Sequence, residues 1–207
     1  GSNILVFKGA SDGLTGNIGA EGTLTFDQST NVTVDSAITG GATVRKEGTG
    51  VLTLSGNNTY TGSTEITSGT VDLQGTLKTS VISVSNNAVF AINSYNAFQF
   101  LPIIRLEGTA TFRFSETNSS FTARVNGVNG SNATKLELNK NTISIEGPGE
   151  FGGMISGIGG VFVSNGSGRQ VFSGENEYSG VTTIANGTLI AAHVYALGSA
   201  AGDTIVS

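Results

Sequence analysis

The sequence contains no cysteine, no tryptophan, one histidine and two prolines in 207 residues. The absence of cysteine excludes disulfide bonds, thiolate catalysis and cysteine-bound metals. Because His193 is the only histidine, multi-histidine metal sites and the serine–histidine–aspartate arrangement of hydrolases lack their parts. Charged residues make up 12% of the chain, about half of ordinary usage, which argues against a coiled coil. We therefore expect no metal and no cofactor.

The balance of charge argues against two classes of partner. The formal net charge is −5, so the chain lacks the electrostatic attraction to phosphates that dominates nucleic-acid affinity. The ten Lys and Arg residues are dispersed, and the only adjacent pair, Arg45-Lys46, is interpreted as a solvated strand edge. The most apolar stretch, residues 88–106, is interrupted by polar residues. We predict no nucleic-acid partner and no direct membrane insertion.

Short runs in which apolar and polar residues alternate recur along the chain. Such alternation places one row of side chains on a core and the other in water, as in a β-strand. Thirty-one glycines and frequent Asn between the runs indicate many tight turns. These features predict an all-β protein. The apolar members of the clearest runs are Leu24/Phe26, Val32/Val34, Leu52/Leu54, Val71/Leu73, Ile82/Val84, Phe90/Ile92, Phe112/Phe114, Leu136/Leu138 and Ile143/Ile145.

The alternating runs recur at a nearly constant spacing of about twenty residues. A sandwich of two sheets has no reason to preserve such a period, whereas a β-solenoid requires it, because each coil stacks on the previous one. The spacing therefore predicts coils of about twenty residues whose strands pair in parallel with their equivalents in the next coil. The two series that carry it are Leu24, Val44, Thr64, Val84 and Val32, Leu52, Val71, Phe90.

The domain organisation follows from where this period holds and where it weakens. Gly1 and Ser2 are interpreted as the remnant of an expression tag, and residues 3–207 as a single β-helix fragment. The segment from Ser115 to Lys135 is rich in Ser, Asn and Gly and has few apolar pairs. We therefore predict that residues 115–135 form a loop that leaves the solenoid. The period returns near Leu136.

A longer repeat connects two stretches of the chain at a constant offset of 118 residues. The sequence SGNNTYTGSTEITSGTVDL begins at Ser55, and SGENEYSGVTTIANGTLIA begins at Ser173. With the residues before it, the first copy resembles the passenger-associated transport repeat of bacterial autotransporters, G-x-G-x-L-x-L-x-G-x-N-x-Y-x-G-x-T-x-I-x-x-G-x-L. The matching repeat positions are Gly56, Asn58, Tyr60, Gly62, Thr64, Ile66 and Gly69, and Gly174, Asn176, Tyr178, Gly180, Thr182, Ile184 and Gly187.

This resemblance implies a right-handed, single-stranded parallel β-helix from the passenger of an autotransporter, secreted or displayed at the surface of a Gram-negative bacterium. Its immediate partners would be adjacent β-helix coils and the outer-membrane barrel of the parent chain. Its external partner would be a host-cell receptor, a glycan or a neighbouring bacterial cell. By analogy, the repeats support secretion by folding outside the cell. The implied function is that of a structural segment of an adhesin-type passenger.

The repeat residues have a structural interpretation. The repeat glycines are expected at corners, where positive φ angles are often needed. The side-chain amides of Asn58 and Asn176 can satisfy backbone groups of the turns. Tyr60 and Tyr178 offer an apolar ring with a hydroxyl that reaches water. A regular solenoid also predicts that the two tyrosines lie at equivalent corners.

Two alternative functions remain open from the sequence: the scaffold of a secreted toxin passenger, and a β-helix that degrades polysaccharide. Glu175 and Glu177 are the nearest approach to paired catalytic carboxylates, and we interpret them as a solvated pair at a corner. We therefore predict that the chain is not an enzyme. If it contains a contact site, the candidates are residues 115–135 and the aromatic residues Tyr95, Phe98 and Phe100.

Overall fold

The computed structural model describes residues 3–8, 16–115 and 119–207; Gly1 and Ser2, interpreted as a tag remnant, lie outside them. Short strands joined by turns and bends stack into a β-solenoid of about 10 turns. The strand pairings are parallel and join residues about one coil apart. The prediction of an all-β parallel β-helix with coils of about twenty residues is confirmed. Among the described residues there is no helix of the length and apolarity needed to span a membrane.

The described strands are numbered in chain order. Their bounds are β1 (Ile4–Phe7), β2 (Ile18–Gly19), β3 (Thr23–Phe26), β4 (Val32–Val34), β5 (Ile38–Thr39), β6 (Thr43–Lys46), β7 (Val51–Leu54), β8 (Asn57–Asn58), β9 (Thr64–Ile66), β10 (Thr70–Leu73), β11 (Thr76–Leu77), β12 (Val81–Val84), β13 (Val89–Ile92), β14 (Ile103–Leu106), β15 (Thr111–Phe114), β16 (Thr122–Val125), β17 (Gly127–Gly130), β18 (Lys135–Asn139), β19 (Thr142–Ile145), β20 (Gly149–Phe151), β21 (Met154–Gly157), β22 (Val161–Phe172), β23 (Thr182–Ala191) and β24 (Thr204–Val206).

These strands form three walls around the core. The first wall contains β1, β3, β6, β9, β12, β14, β17 and β20, and the second contains β4, β7, β10, β13, β15, β18 and β21. The third wall starts with the two-residue strands β2, β5, β8 and β11 and continues with β16 and β19. The long strands β22 and β23 begin in the third wall, turn a corner and end in the first. The last described strand of the third wall is β24, which pairs with the start of β23.

The core consists of stacked columns of inward side chains. In the second wall the register joins Val32, Leu52, Val71 and Phe90, which confirms the second predicted series. Phe112 continues this column, with its ring centroid 5.5 Å from that of Phe90. Because each inward side chain contacts equivalents above and below, a coil buries its apolar surface only when its neighbours are in place.

The first predicted series holds for three of its four members. Val44 and Thr64 stack as predicted, but Ile82, not Val84, lies over Thr64. The coil from Thr64 to Ile82 has eighteen residues rather than twenty. A shift of two residues keeps the same face of the strand inward, so alternation alone could not reveal it.

The loop predicted for residues 115–135 is corrected by the structure. Residues 116–118 lie outside the described part, but β16 and β17 fall within this segment and belong to the third and first walls. Ala123, Val125 and Val128 are buried in the core. The two strands could not be recognised from the sequence because their inward positions carry few large apolar side chains. In addition, the coil from Ile104 to Val128 has 24 residues and departs from the period of about twenty.

Arg45 and Lys46, interpreted from the sequence as a solvated strand edge, point to opposite sides of β6. The guanidinium of Arg45 lies outside and binds the carboxylate of Glu65 in the next coil, with Nη2 2.7 Å from Oε2. Lys46 is buried in the core column between its register partners Phe26 and Ile66. The prediction is wrong for Lys46, because strand alternation turns every second side chain inward whatever its charge.

Replacing Lys46 with methionine is expected to stabilise the chain at pH 7 by about 1–3 kcal/mol. Burial lowers the pKa of Lys46 below its ordinary value of 10.5, and the nearby Asp27 only partly opposes this shift. The unfolded chain therefore binds the proton more tightly, and the wild-type protein gains stability as pH rises towards 10.5. Urea unfolding at pH 7 and pH 10 should show the advantage of K46M shrinking at the higher pH. The exposed Lys135→Met is the control; a K46M variant less stable than wild type at pH 7 contradicts this account.

Candidate functional site

The two repeat tyrosines are fully buried at corners of the solenoid. The hydroxyl of Tyr60 lies 2.7 Å from the Oγ1 atom of Thr64, and that of Tyr178 lies 2.6 Å from the Oγ1 atom of Thr182. Burial raises the pKa of both tyrosines, so both stay neutral. The expectation that the hydroxyls reach water is wrong, because the threonine four residues later takes the place of water.

The repeat asparagines bind the coil that precedes them. The Oδ1 atom of Asn58 accepts a hydrogen bond from the backbone N–H of Ile38 at 3.1 Å, and that of Asn176 accepts one from the N–H of Ile155 at 2.8 Å. Both asparagines are buried, and both partners lie about one coil earlier in the chain. Each repeat therefore satisfies a buried backbone donor of the coil on which it is built.

The donor groups of the two asparagines differ. The Nδ2 atom of Asn58 donates to the carbonyl of Gly56 in its own corner, at 2.9 Å. The Nδ2 atom of Asn176 donates to the carbonyl of Ala196 in the following coil, at 2.7 Å. Asn176 thus connects three successive coils through one side chain.

The repeat glycines serve two different geometric needs. Gly69 and Gly187 have φ angles of 69° and 101°, which confirms the expected positive φ at these two positions. At the other four repeat glycines φ is not positive, and the requirement is close approach: an added Cβ atom would lie 1.9–2.4 Å from a carbonyl oxygen of the preceding coil. These four are Gly56, Gly62, Gly174 and Gly180.

Each repeat isoleucine lies on the strand that follows the tyrosine corner and pairs in register with residues of neighbouring coils. Ile66 is fully buried over Lys46. Ile184 is half-buried, and its register partners are Val163 and Val206. The repeat residues of one copy therefore follow most of one coil: in the first copy, Gly56 lies between the second and third walls, Tyr60 between the third and first, and Gly69 between the first and second.

The two repeats occupy different corners of the solenoid, contrary to expectation. The N–H of Tyr60 donates to the carbonyl of Ile38 in the third wall, so this tyrosine lies between the third and first walls. The N–H of Tyr178 donates to the carbonyl of Ile155 in the second wall, so this tyrosine lies between the second and third walls. The second copy is rotated by one wall relative to the first.

The lengths of the intervening coils cause this rotation. Starting from Lys46, successive register partners lead to Phe172 six coils later, a distance of 126 residues. The repeat offset is 118 residues, eight fewer. In the repeat alignment Phe172 therefore corresponds to Leu54, which lies eight residues after Lys46. Leu54 belongs to the second wall, whereas Phe172 stacks in the same column as Lys46 in the first wall. The corner motif does not depend on which two walls it joins.

A buried asparagine outside the repeats makes the same type of contact. Asn141 accepts from the N–H of Phe121 at 3.0 Å and donates to the carbonyl of Leu138 at 3.2 Å. Its surroundings contain none of the Gly and Tyr positions that mark the repeats, so the repeat pattern could not identify it. Its spacing of twenty residues from Phe121 was the available signal.

The two sequence candidates for a contact site come together at one cleft of about 580 Å³ on the outside of the third wall. Tyr95 and Phe100 are 68% and 53% exposed at this cleft, while Phe98 is half-buried and packs 6.2 Å from Phe90 between ring centroids. The opposite side is provided by the outer face of β16, which lies within residues 115–135. Its lining residues are Tyr95, Asn96, Phe98, Gln99, Phe100, Leu101, Thr122 and Arg124.

An ion pair that the sequence analysis missed lies beside this cleft. The Nη2 atom of Arg124 donates to the Oε2 atom of Glu146 at 2.7 Å, and Nε donates to Oε1. These hydrogen bonds lower the pKa of Glu146 and hold it ionised. The two residues are 22 positions apart, so opposite charges at coil spacing were the available signal.

The acidic residues that could suggest hydrolysis lie at the surface of the solenoid. Glu175 and Glu177 are exposed and alternate with the buried Asn176 on one extended segment. Within the described residues, no group of three or more His, Cys, Asp or Glu side chains is placed to hold a metal ion.

Comparison with known proteins first gives the class of the repeat. A family model of the passenger-associated transport repeat matches the chain twice, over residues 44–73 and 162–191. These ranges contain both buried tyrosine corners. The resemblance expected from the sequence is confirmed.

A curated protein then matches most of the chain. Over 169 residues, or 79% of its length, the chain is 32% identical to the adhesin BmaC autotransporter of Brucella suis biovar 1 (strain 1330). The chain spans 4% of the length of that relative. No solved structure matches the chain significantly. Together the repeats and this match show that the chain belongs to the autotransporter passengers, which are secreted or displayed at the surface of Gram-negative bacteria.

Proposed function

We propose that this chain is a structural segment of an adhesin-type passenger whose transport repeats support folding-coupled secretion. The observation that carries the proposal is that each repeat asparagine satisfies a buried N–H group of the preceding coil. A repeat that folds therefore removes backbone groups of that coil from water, and opening it again would break this hydrogen bond and expose the apolar end of the preceding coil to water.

The repeat glycines support the same role. At Gly62 and Gly180 the backbone lies directly on the carbonyl groups of the previous coil, at positions where a Cβ atom would come within 2.2 Å of an oxygen. Close contact of this kind forms only when the preceding coil is already in place. Coil-by-coil addition outside the cell would oppose return of the chain through the outer-membrane barrel of the parent protein.

The adhesive part of the proposal is supported by the similarity to an adhesin and by the exposed aromatic cleft. A host-cell receptor, a glycan or a neighbouring cell are the corresponding partners. The match to an adhesin, together with the solvent-exposed Glu175 and Glu177, supports a non-enzymatic role.

Surface display of the parent protein tests the secretion role. Replacing Gly62 and Gly180 with leucine should reduce the amount of passenger on intact cells, measured by antibody binding and flow cytometry, to less than half of the wild-type level. Gly19→Leu is the matched control, because the nearest atom to an added Cβ there is 3.8 Å away. Wild-type display of the double variant, with equal total expression, contradicts the proposal.

A further inference from the structure

We propose that the cleft on the third wall is a binding site for neutral oligosaccharide. This inference rests on the proposed adhesive function and names the chemistry of its ligand. The first observation is the exposure of Tyr95 and Phe100, whose rings are more than half accessible although each could bury a large apolar area. Exposed aromatic residues gathered at one cleft mark a contact surface.

Hydrogen-bonding groups accompany the two rings. Asn96, Gln99 and Thr122 line the same cleft and supply two carboxamides and one hydroxyl. The carboxamide of Gln99 is held in place, because its Nε2 atom donates to the Oγ1 atom of Thr76 at 2.9 Å and to the Oδ1 atom of Asn57, so it offers a ligand its oxygen as an acceptor. A sugar ring has an apolar C–H face and a rim of hydroxyl groups, so it can stack on an aromatic ring while its hydroxyls bind amides.

The charges at the cleft favour a neutral ligand. The guanidinium of Arg124 is paired with the carboxylate of Glu146 through two hydrogen bonds, and this pair contributes no net charge. The ammonium of Lys78 lies 5.2 Å from the centroid of the Phe100 ring and interacts with its face. An anionic ligand would have to displace Glu146 to bind Arg124, whereas Lys78 keeps its positive charge in the ring contact.

The shape of the site favours an oligosaccharide over a single sugar. A second cleft of about 470 Å³ continues from the first, and the two share Thr122 and Arg124. It adds the hydroxyls of Thr142 and Ser144 and the half-buried ring of Phe162 from successive coils. Three coil spacings separate Phe98 from Phe162, which gives a track of roughly 14 Å along the wall.

Isothermal titration calorimetry on the full 207-residue chain tests the site. The ligands are chitohexaose, cellohexaose, maltohexaose and lacto-N-tetraose, with hexagalacturonate as the acidic comparison. We expect binding of at least one neutral oligosaccharide, a loss of affinity of about tenfold or more in both Tyr95→Ala and Phe100→Ala, and no binding of hexagalacturonate at 150 mM salt, a concentration of about physiological strength. Tyr195→Ala, an exposed tyrosine away from the cleft, should retain full affinity.

Both cleft variants should keep the wild-type melting temperature, because the removed side chains are largely exposed. Absence of binding across the neutral panel, binding that survives both substitutions, or binding of hexagalacturonate alone would overturn the proposal. Adhesion of cells that display the parent passenger distinguishes failure of the cleft proposal from failure of the proposed adhesive function. A passenger that mediates adhesion without binding any oligosaccharide contradicts only the cleft, whereas oligosaccharide binding without adhesion contradicts only the adhesive function.

Discussion

Replacing Tyr60 or Tyr178 with alanine is expected to lower the free energy of unfolding by about 3–5 kcal/mol, the range for removal of a buried aromatic ring. Each substitution removes a fully buried ring and leaves the hydroxyl of Thr64 or Thr182 without its partner. Urea unfolding followed by circular dichroism measures the loss.

One further variant separates the contribution of the buried ring from that of its hydroxyl, and a second serves as a control for an exposed tyrosine. Tyr60→Phe keeps the ring and should cost about 1–2 kcal/mol, because only the buried hydrogen bond to Thr64 is lost. Tyr195→Ala removes a tyrosine that is 55% exposed and should stay within about 0.5 kcal/mol of wild type. If Tyr178→Ala were no more destabilising than Tyr195→Ala, the buried corner would not be the source of stability.

Replacing Asn176 with aspartate is expected to destabilise the chain by about 3 kcal/mol or more at pH 7, although the two side chains have the same shape. A carboxylate can still accept from the N–H of Ile155, but it repels the carbonyl of Ala196, to which the amide now donates. Burial should raise the pKa of the new carboxyl, so the cost should fall as pH falls through that value and the protonated group becomes a donor.

The control for this prediction is Asn132→Asp, which places the same charge at an exposed position. Chemical unfolding at pH 7 and pH 4 compares the two variants. Asn58→Asp should resemble Asn176→Asp, since its Nδ2 atom also donates to a buried carbonyl. Equal stability of the Asn176 and Asn132 variants at pH 7 contradicts the bridging role.

The alternation and the period carried most of the information about the fold. The column through Leu52, Val71 and Phe90 follows directly from them, because apolar side chains of one wall must stack on each other. The period failed at Val84, where an eighteen-residue coil shifts the register by two. It failed again at β16 and β17, where small and polar residues occupy a 24-residue coil.

The residues of the repeat could be identified from the sequence, but several of their roles could not. The tyrosine hydroxyls were expected in water because a hydroxyl at a corner usually finds it; the partners Thr64 and Thr182 become visible only when the corner is folded. The need for glycine at Gly62 comes from the coil beneath it. The local sequence does not show whether a glycine is required for close approach between coils or for a positive φ angle.

The rotation of the second repeat bears on what the repeats do. If the motif presented a particular face of the solenoid to a partner, both copies should lie at the same corner. Tyr60 and Tyr178 lie at corners one wall apart, yet each makes the same hydrogen bond to the threonine four residues later. The conserved geometry is internal, which favours a role in folding over a role in recognition.

The most direct test of this account compares surface display with stability across one set of variants in the parent passenger. Display on intact cells and the free energy of unfolding of the purified chain would be measured for Tyr60→Ala, Tyr178→Ala, Asn176→Asp and Gly180→Leu, with Tyr95→Ala and Phe100→Ala as cleft variants. We predict that display falls with stability in the first four variants and is unchanged in the cleft variants. Corner variants that lose several kcal/mol of stability, of the size expected for a buried tyrosine, but reach the surface at wild-type levels would contradict it.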